Sequence, residues 1–414
     1  MPAHSFNKLK VFNDPIYGFI SIPGTFIFDL IEHPDFQRLR RIRQLGLTAY
    51  VYPGALHTRF HHALGAMYLM GTCLEVLRSK GQTITAEEAE AATIAILLHD
   101  IGHGPFSHAL EGWLIPGVSH EEISWAFMQK LNLEFKGKLS LALEIFKGTY
   151  HKKFLHYLVS SQLDMDRLDY LKRDSFFTGV SEGTVNSDRI ITMLRIVNDQ
   201  LVVDAKGIYS VEKFIIARRL MYWQVYLHKT VISAEQLLVK ILERARLLTN
   251  KGVSLFATPA LNHFLPGNIS GPKALNLPGI LASFAAMDDE DIFVSIKQWQ
   301  SSDDKILSLL SKNLVNRHLF QTEIARVPFS DAEINQHKER VMKQLGIDEE
   351  EVTYFVSTGR LINNAYDPSD NRIGIYYRDG SIVDITEAAD QLNISVLSGK
   401  LEKYFLCYPK ESIH

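Results

Sequence analysis

One segment limits the fold more than any other. Thr85-Ala-Glu-Glu88 has the T-x-x-E form of a capping box, in which Thr and Glu side chains each satisfy a backbone N–H at a helix start. The helix it opens, through Ala91 to His99, is apolar nearly all round, which puts it in the middle of a packed body. It ends on His99-Asp100. Taking an imidazole and a carboxylate into a core without partners costs several kcal/mol, roughly 2–7 for a polar group and more for a charge. A divalent cation would compensate, and so would a hydrogen-bonded pairing of the two groups.

The histidines are unevenly spread. Of 16 in the 414 residues, seven (His57, His61, His62, His99, His103, His108 and His120) fall within 64 residues, where even scatter would put between two and three. Imidazole is both a common metal ligand and a group that titrates near neutral pH, so the cluster points to a metal or acid–base site. Arg59 and His62 stand three apart on a helix expected over Arg59 to Ser79, and so share a face. Asp166, Tyr170 and Asp174 recur at a spacing of four on a helix expected over Ser161 to Phe176, with Arg167 beside the first. Each stripe alone reads equally well as a solvated helix face.

Elsewhere, Val11 to Ile22 reads as a hairpin around Asn13-Asp14-Pro15, and Thr25 to Arg43 as a helix interrupted at Pro34. A long helix is expected over Val211 to Leu248, a turn-rich loop over Pro259 to Gly279, and two more helices through Arg317. Val352 to Ser357, Ile373 to Tyr377 and Tyr404 to Cys407 are β-rich. The expectation is a mostly α chain: a helical body with an N-terminal hairpin over 1–325, and a smaller C-terminal α/β region over 326–414.

Composition closes several classes. With 46% hydrophobic and 22% charged residues, the chain is neither disordered, collagenous nor a disulfide scaffold. There is no apolar run of about 18 residues to span a bilayer, and Met1 to Asn7 lacks signal-peptide features. Two cysteines, Cys73 and Cys407, suit a reducing compartment. A cytoplasmic chain with no membrane partner is expected. The balance of 44 basic against 47 acidic residues argues against a nucleic-acid coat. The run Arg38, Arg40, Arg41, Arg43 leaves nucleic-acid contact open, but without the basic excess or aromatic interleaving that would indicate it.

Three stretches in order, RFHHALG (Arg59 to Gly65), LLHDIGHGPFSHALE (Leu97 to Glu111) and DMDRLDYLKRD (Asp164 to Asp174), carry a family resemblance. The chain resembles the HD-domain metal-dependent phosphohydrolases, and among them the dNTP triphosphohydrolase branch, over about Lys10 to Phe320. The resemblance implies a helical HD fold and metal ligands His62, His99, Asp100 and Asp166. Such a set suits Fe, Mn, Ni or Zn, with a second ion, Mg, left open beside it. It implies His103, His108, Glu111 and His120 as catalytic residues, although the family member compared has Asp where Glu111 stands. Arg59, Arg167 and Arg218 would clamp a polyphosphate, with Arg167 at a position that is often Lys. Tyr170 and Asp174 would lie beside the sugar, Leu45 and Tyr226 against its 2′ carbon, and Gln44 next to them.

The implied reaction converts a deoxynucleoside triphosphate to deoxynucleoside and inorganic triphosphate. A phosphomonoesterase or nucleotide phosphodiesterase, or a nucleotide-binding module with little turnover, are the alternatives. The resemblance further implies a homo-oligomer, dimer or tetramer. It also implies an activator site of Lys10, Val11, Asn13, Glu32, Gln37, Arg40, His228, Lys229 and Arg317, with Glu32 standing where the relative has Asp.

Overall fold

The computed structural model describes residues 10–106, 109–363, 365–368, 371–389, 399 and 401–410. Val11–Asp14 (β1) and Gly18–Ser21 (β2) form the N-terminal hairpin, with Val11 opposite Ser21. Its turn is closed by Asp14 Oδ1, which accepts the N–H groups of Ile16 and Tyr17 at 2.9 and 3.0 Å. The helix expected over 25–43 is divided into α1 (Thr25–Glu32) and α2 (Pro34–Gln37), followed by a 3₁₀ turn at Arg38–Arg41. His33 between them is extended, as a residue before proline is driven to be.

The body is built on α3 (Arg59–Ser79) and α4 (Ala86–Leu98), packed on one another. Both sides of the Thr85/Glu88 capping box are made, and α4 is buried from Ala91 to Leu98. Around this pair pack α5 (His120–Glu134), α6 (Ser140–Phe146), α7 (Lys153–Val159) and α8 (Met165–Thr178). α8 starts later than expected because Asp164 is its N-cap, accepting the Arg167 N–H at 2.7 Å. After α9 (Ser187–Met193) comes a hairpin the sequence did not suggest, β3 (Leu194–Val197) and β4 (Gln200–Asp204), turning on Asn198 and Asp199, both at positive φ.

The helix expected over 211–248 is also interrupted. α10 (Ile208–Met221) runs into a π-helical turn, Tyr222–Tyr226, and α11 (Lys229–Asn250) begins anew from an extended His228. The turn-rich loop holds α12 (Pro259–Phe264), and three helices rather than two follow: α13 (Ile280–Ala285), α14 (Asp289–Trp299) and α15 (Lys305–Val315).

The C-terminal elements are β5 (Gln321–Ala325), α16 (Asp331–Leu345), β6 (Ser357–Asn363), β7 (Gly374–Tyr376), β8 (Ile382–Asp384), α17 (Ile385–Ala388) and β9 (Leu401–Tyr408). Much of the segment expected as a strand over 352–357 is a 3₁₀ turn at Glu351–Tyr354, and the strand starts only at Ser357. One sheet runs β3-β4-β7-β8, with β7 parallel to β4, and the other runs β5-β9-β6. Both sheets draw strands from each side of residue 325, so the strands beyond it are stitched to the preceding body by backbone hydrogen bonds. Among the described residues no helix is long and apolar enough to cross a membrane.

Candidate active site

α3, the end of α4 and α8 converge on His62, His99, Asp100 and Asp166. Asp166 Oδ1 lies 3.0 Å from His62 Nε2 and 3.5 Å from His99 Nε2. Asp100 faces the same two nitrogens, Oδ1 at 3.3 Å from His99 and Oδ2 at 3.8 Å from His62. The other ring nitrogens are committed. His62 Nδ1 meets Asp169 Oδ2 at 2.8 Å, and His99 Nδ1 meets the Ile96 carbonyl oxygen at 2.6 Å. Because both partners are acceptors, each Nδ1 carries the proton and donates, so the Nε2 lone pairs are left for a cation.

These groups fit a divalent metal. Among the described residues His62 Nε2 and His99 Nε2 are buried and make no hydrogen bond, and with one Asp166 oxygen they lie within 4.8 Å of one another. Burial disfavours a charged His62, yet Asp166 and Asp169 push its pKa up to about 10. A cation between the same groups displaces that proton. Asp166, despite burial, is held far below the usual carboxylate range by the two imidazoles.

A second layer fixes this half of the site. Asp169 is clasped by Arg173, whose Nε and Nη2 donate to its two oxygens at 2.9 and 3.0 Å, and Arg173 Nη1 reaches Asp14 Oδ2 at 2.7 Å. All three charges are buried. Gly65 leaves room for them. A Cβ there would stand 2.0 Å from Asp169 Oδ1 and 2.2 Å from Arg173 Nη2.

The other half is built on the loop after Asp100. Asp100, His103 and His120 form a second group of converging ligand atoms. Two imidazoles and one carboxylate are a poor cage for Mg, which favours oxygen ligands. His103 and His120 stack with ring centroids 4.0 Å apart. His120 Nδ1 lies 2.7 Å from Glu111 Oε1, so the longer side chain at 111 does reach the imidazole. Burial and the nearby Arg59 guanidinium hold the His103 pKa well below its ordinary value, whereas Glu111 raises that of His120 against the burial penalty.

Gly102 lets this loop close on α5. A Cβ would stand 2.2 Å from Ser124 N, whose side-chain Oγ accepts the Gly102 N–H at 2.9 Å and donates to the His99 carbonyl at 2.7 Å. Arg38, fully buried between Phe127 and Phe284, donates through Nη2 to the carbonyls of Ile101 and His103, each at 2.7 Å. Its pKa is lowered to about 10 by burial. His108 lies outside the described residues.

Of the expected phosphate clamp, Arg59 is buried and ion-paired with Asp100, which ties it to the metal group. Arg167 pairs with Asp164, and Arg218 Nη1 donates to Gln162 Oε1 at 3.1 Å. The Nε atoms of Arg167 and Arg218 make no hydrogen bond among the described residues. Burial raises the Tyr170 pKa, while Arg218 and Arg167 both act on it in the opposite sense, so the three share one neighbourhood. Further along α8, Asp174 accepts from Tyr226 Oη at Oδ2 and faces His57 Nε2 at Oδ1, both at 2.8 Å. Tyr226 and Tyr170 meet edge to face. Gln44 donates its N–H to the His57 carbonyl at 3.0 Å, with Leu45 next in the chain.

The expected activator residues fall into two groups. Arg40 lies over the Phe60 ring at 3.6 Å and donates to Gln37 Oε1 at 2.8 Å, while Lys10 lies over Phe28 at 4.7 Å beside Val11 and Asn13 on β1, and Glu32 ends α1. The second group surrounds Tyr50 and Tyr52. Arg317 donates to the Tyr50 carbonyl at 2.9 Å, the His228 ring approaches Tyr52, and Lys229 opens α11.

Sequence reasoning missed His57 as a partner of Asp174, Asp169 as the support of His62, and Gln162 as the support of Arg218. Asp169 had a signal: it stands three residues after Asp166 and four before Arg173, on one helix face. His57 belonged to the histidine cluster, but nothing in its spacing pointed to α8.

The chain belongs to the HD-domain phosphohydrolase family. Residues 59–173 match the HD domain, and residues 185–255 match the HD associated region. It is 33% identical to uncharacterized protein YwfO of Bacillus subtilis, the alignment covering 100% of this chain and 95% of that protein. A phosphohydrolase crystal structure from Bacteroides thetaiotaomicron superposes with TM-score 0.94 at 53% identity, over 97% of this chain and 100% of that one. The human deoxynucleoside triphosphate triphosphohydrolase SAMHD1 is 30% identical over 54% of this chain and 42% of its own length, so the chain spans less than half of that relative.

Proposed function

We propose that the protein hydrolyses deoxynucleoside triphosphates to the deoxynucleoside and inorganic triphosphate. The observation that carries this reading is the α8 stripe. Asp166 at the metal group and Asp174, braced by His57 and Tyr226, are eight residues apart, about 12 Å along a helix. That span accommodates a nucleoside between a phosphate at the metal and a carboxylate at the sugar. Asp174 retains lone pairs for a 3′-OH after accepting from Tyr226, since a carboxylate offers about four acceptor sites.

When bound at His62, His99, Asp100 and Asp166, a divalent ion supplies a water of lowered pKa and polarises a phosphoryl oxygen. Arg59, fixed by Asp100, neutralises charge on the α-phosphate, and Arg167 and Arg218 hold the outer phosphates. Neutral His103 stays a hydrogen-bonding group beside that phosphate. His120, kept protonated by Glu111, supplies a proton on the leaving-oxygen side. A clamp of three arginines exceeds what a monophosphate requires. The sequence similarity to the dNTP triphosphohydrolase SAMHD1 supports the same substrate class.

Chromatography of products from each dNTP and NTP tests this. Inorganic triphosphate and deoxynucleoside are expected; a nucleoside monophosphate, or no product from any triphosphate, sinks the reading. Tyr226 and Leu45 crowding the 2′ position would leave a ribose hydroxyl without a partner, at about 1–3 kcal/mol. The kcat/KM for dGTP should therefore exceed that for GTP by roughly 10- to 100-fold, and equal values remove the gate. The Arg40 and His228 groups are proposed to lie at nucleotide-responsive contacts in a homo-oligomer. Sizing and initial rates that ignore added GTP would overturn that assignment.

A further inference from the structure

Behind the arginine clamp lies a second cavity, of about 310 Å³. Leu194, Val202, Val203 and Ile373 give it an apolar floor, and its mouth carries Gln200 and Arg372. Among the described residues that line it, none is acidic. Arg372 is exposed. A volume of this order, with an apolar floor and polar groups toward its mouth, is within the range small-molecule sites take.

The wall between this cavity and the active site is the turn that leads into α8, and its residues alternate. Ser161 and Leu163 line the cavity. Gln162 and Asp164 point the other way, Gln162 to Arg218 and Asp164 to Arg167. The turn is tightly cross-braced, with Ser161 N–H donating to Asp164 Oδ2 at 2.8 Å and Leu163 N–H donating to Ser161 Oγ at 3.2 Å. The turn is thus shared between the cavity and the two side chains that hold the arginines.

We propose that this cavity binds a small anion with an apolar body, one ring carrying a single carboxylate or phosphate, and that its occupancy resets Arg167 and Arg218. The ring lies on the apolar floor and the anionic group meets Arg372. The binding claim stands on the cavity alone, whereas the coupling rests on the proposed role of the two arginines as phosphate contacts.

The test titrates the full chain with phenyl phosphate and, separately, with benzoate, followed by calorimetry, in the wild type and in Arg372→Glu, Gln200→Trp and Arg218→Ala. The first two substitutions change exposed residues at the cavity mouth and leave the core alone. Saturable millimolar binding of at least one probe is expected in the wild type and in Arg218→Ala, and its loss in both mouth variants. Comparing the two probes tells a phosphate preference from a carboxylate one. Absence of binding by either probe, binding that survives both mouth variants, or binding lost in Arg218→Ala overturns the site. With the probe saturating, KM for a hydrolysed dNTP should move by at least about fivefold while kcat moves less; a KM within roughly twofold of its starting value overturns the coupling. Should no triphosphate be hydrolysed, the proposed function fails while calorimetry still decides the site.

Discussion

The two halves of the active site are built differently. The half around His62 sits on α3 and α8, and the ring nitrogen behind it is tied to a chain of buried partners, through Asp169, Arg173 and Asp14. The half around His120 sits on a loop, with His120 and Glu111 partly exposed and the chain held by Arg38, Gly102 and α14. There Asp289 accepts the N–H groups of Phe106 and Arg43 at 2.8 and 2.9 Å, and burial raises its pKa to about 6. Helices give a metal site fixed geometry, whereas a loop lets acid–base groups adjust to the substrate. The proposed metal half is thus preorganised by buried charge, and the proposed acid–base half by backbone anchoring.

Three substitutions would break or sharpen this contrast. The largest effect is expected from Asp166→Ala, which removes the carboxylate shared by both imidazoles. Metal content at this site and turnover should both fall to background. Elemental analysis that still finds one metal per site in that variant would refute the ligand assignment.

Next comes Asp169→Asn, which touches no substrate. Losing the charged acceptor behind His62 Nδ1 should cost 10–100-fold in metal affinity, the usual range for such supports. It also breaks the buried pair with Arg173, at about 3–5 kcal/mol of stability where one partner's charge is left uncompensated. Competition with a chelator and thermal melts of the metal-free chain separate the two effects. Unchanged metal affinity would mean that α3 and α8 alone orient His62.

The smallest effect is expected in the loop half. Glu111→Gln removes the carboxylate that raises the His120 pKa, so the His120 pKa falls toward the value burial alone would set. With His120 as proton donor, activity is lost as pH rises through that pKa, and the alkaline limb of kcat/KM must therefore shift to lower pH. The metal content should stay the same. A limb that does not move assigns the proton to another group.

Several elements were legible because their cause is local. The α4 capping box, the Asp166/Tyr170/Asp174 stripe and the β1–β2 hairpin depend on residues within a few positions of one another. The interruption at Tyr222–Tyr226 was not legible. No proline or glycine marks it, and periodicity continues across it. Residues 194–204 were likewise missed as strands, because β4 takes its second partner from β7, some 170 residues later.

By itself, the sequence put an apolar helix ending on His99-Asp100 in the interior, and the family resemblance it carries pointed to His62 and Asp166, on two further helices, as their companions. Buried charge needs a partner, and that requirement is legible in the sequence even where the partner is not. Tertiary structure alone decided which neighbours tune them. Asp169 orients His62, His57 and Tyr226 brace Asp174, Gln162 holds Arg218, and both sheets bind the C-terminal residues to the body. Those contacts join residues far apart in the chain, where spacing carries no information and only packing selects the partner.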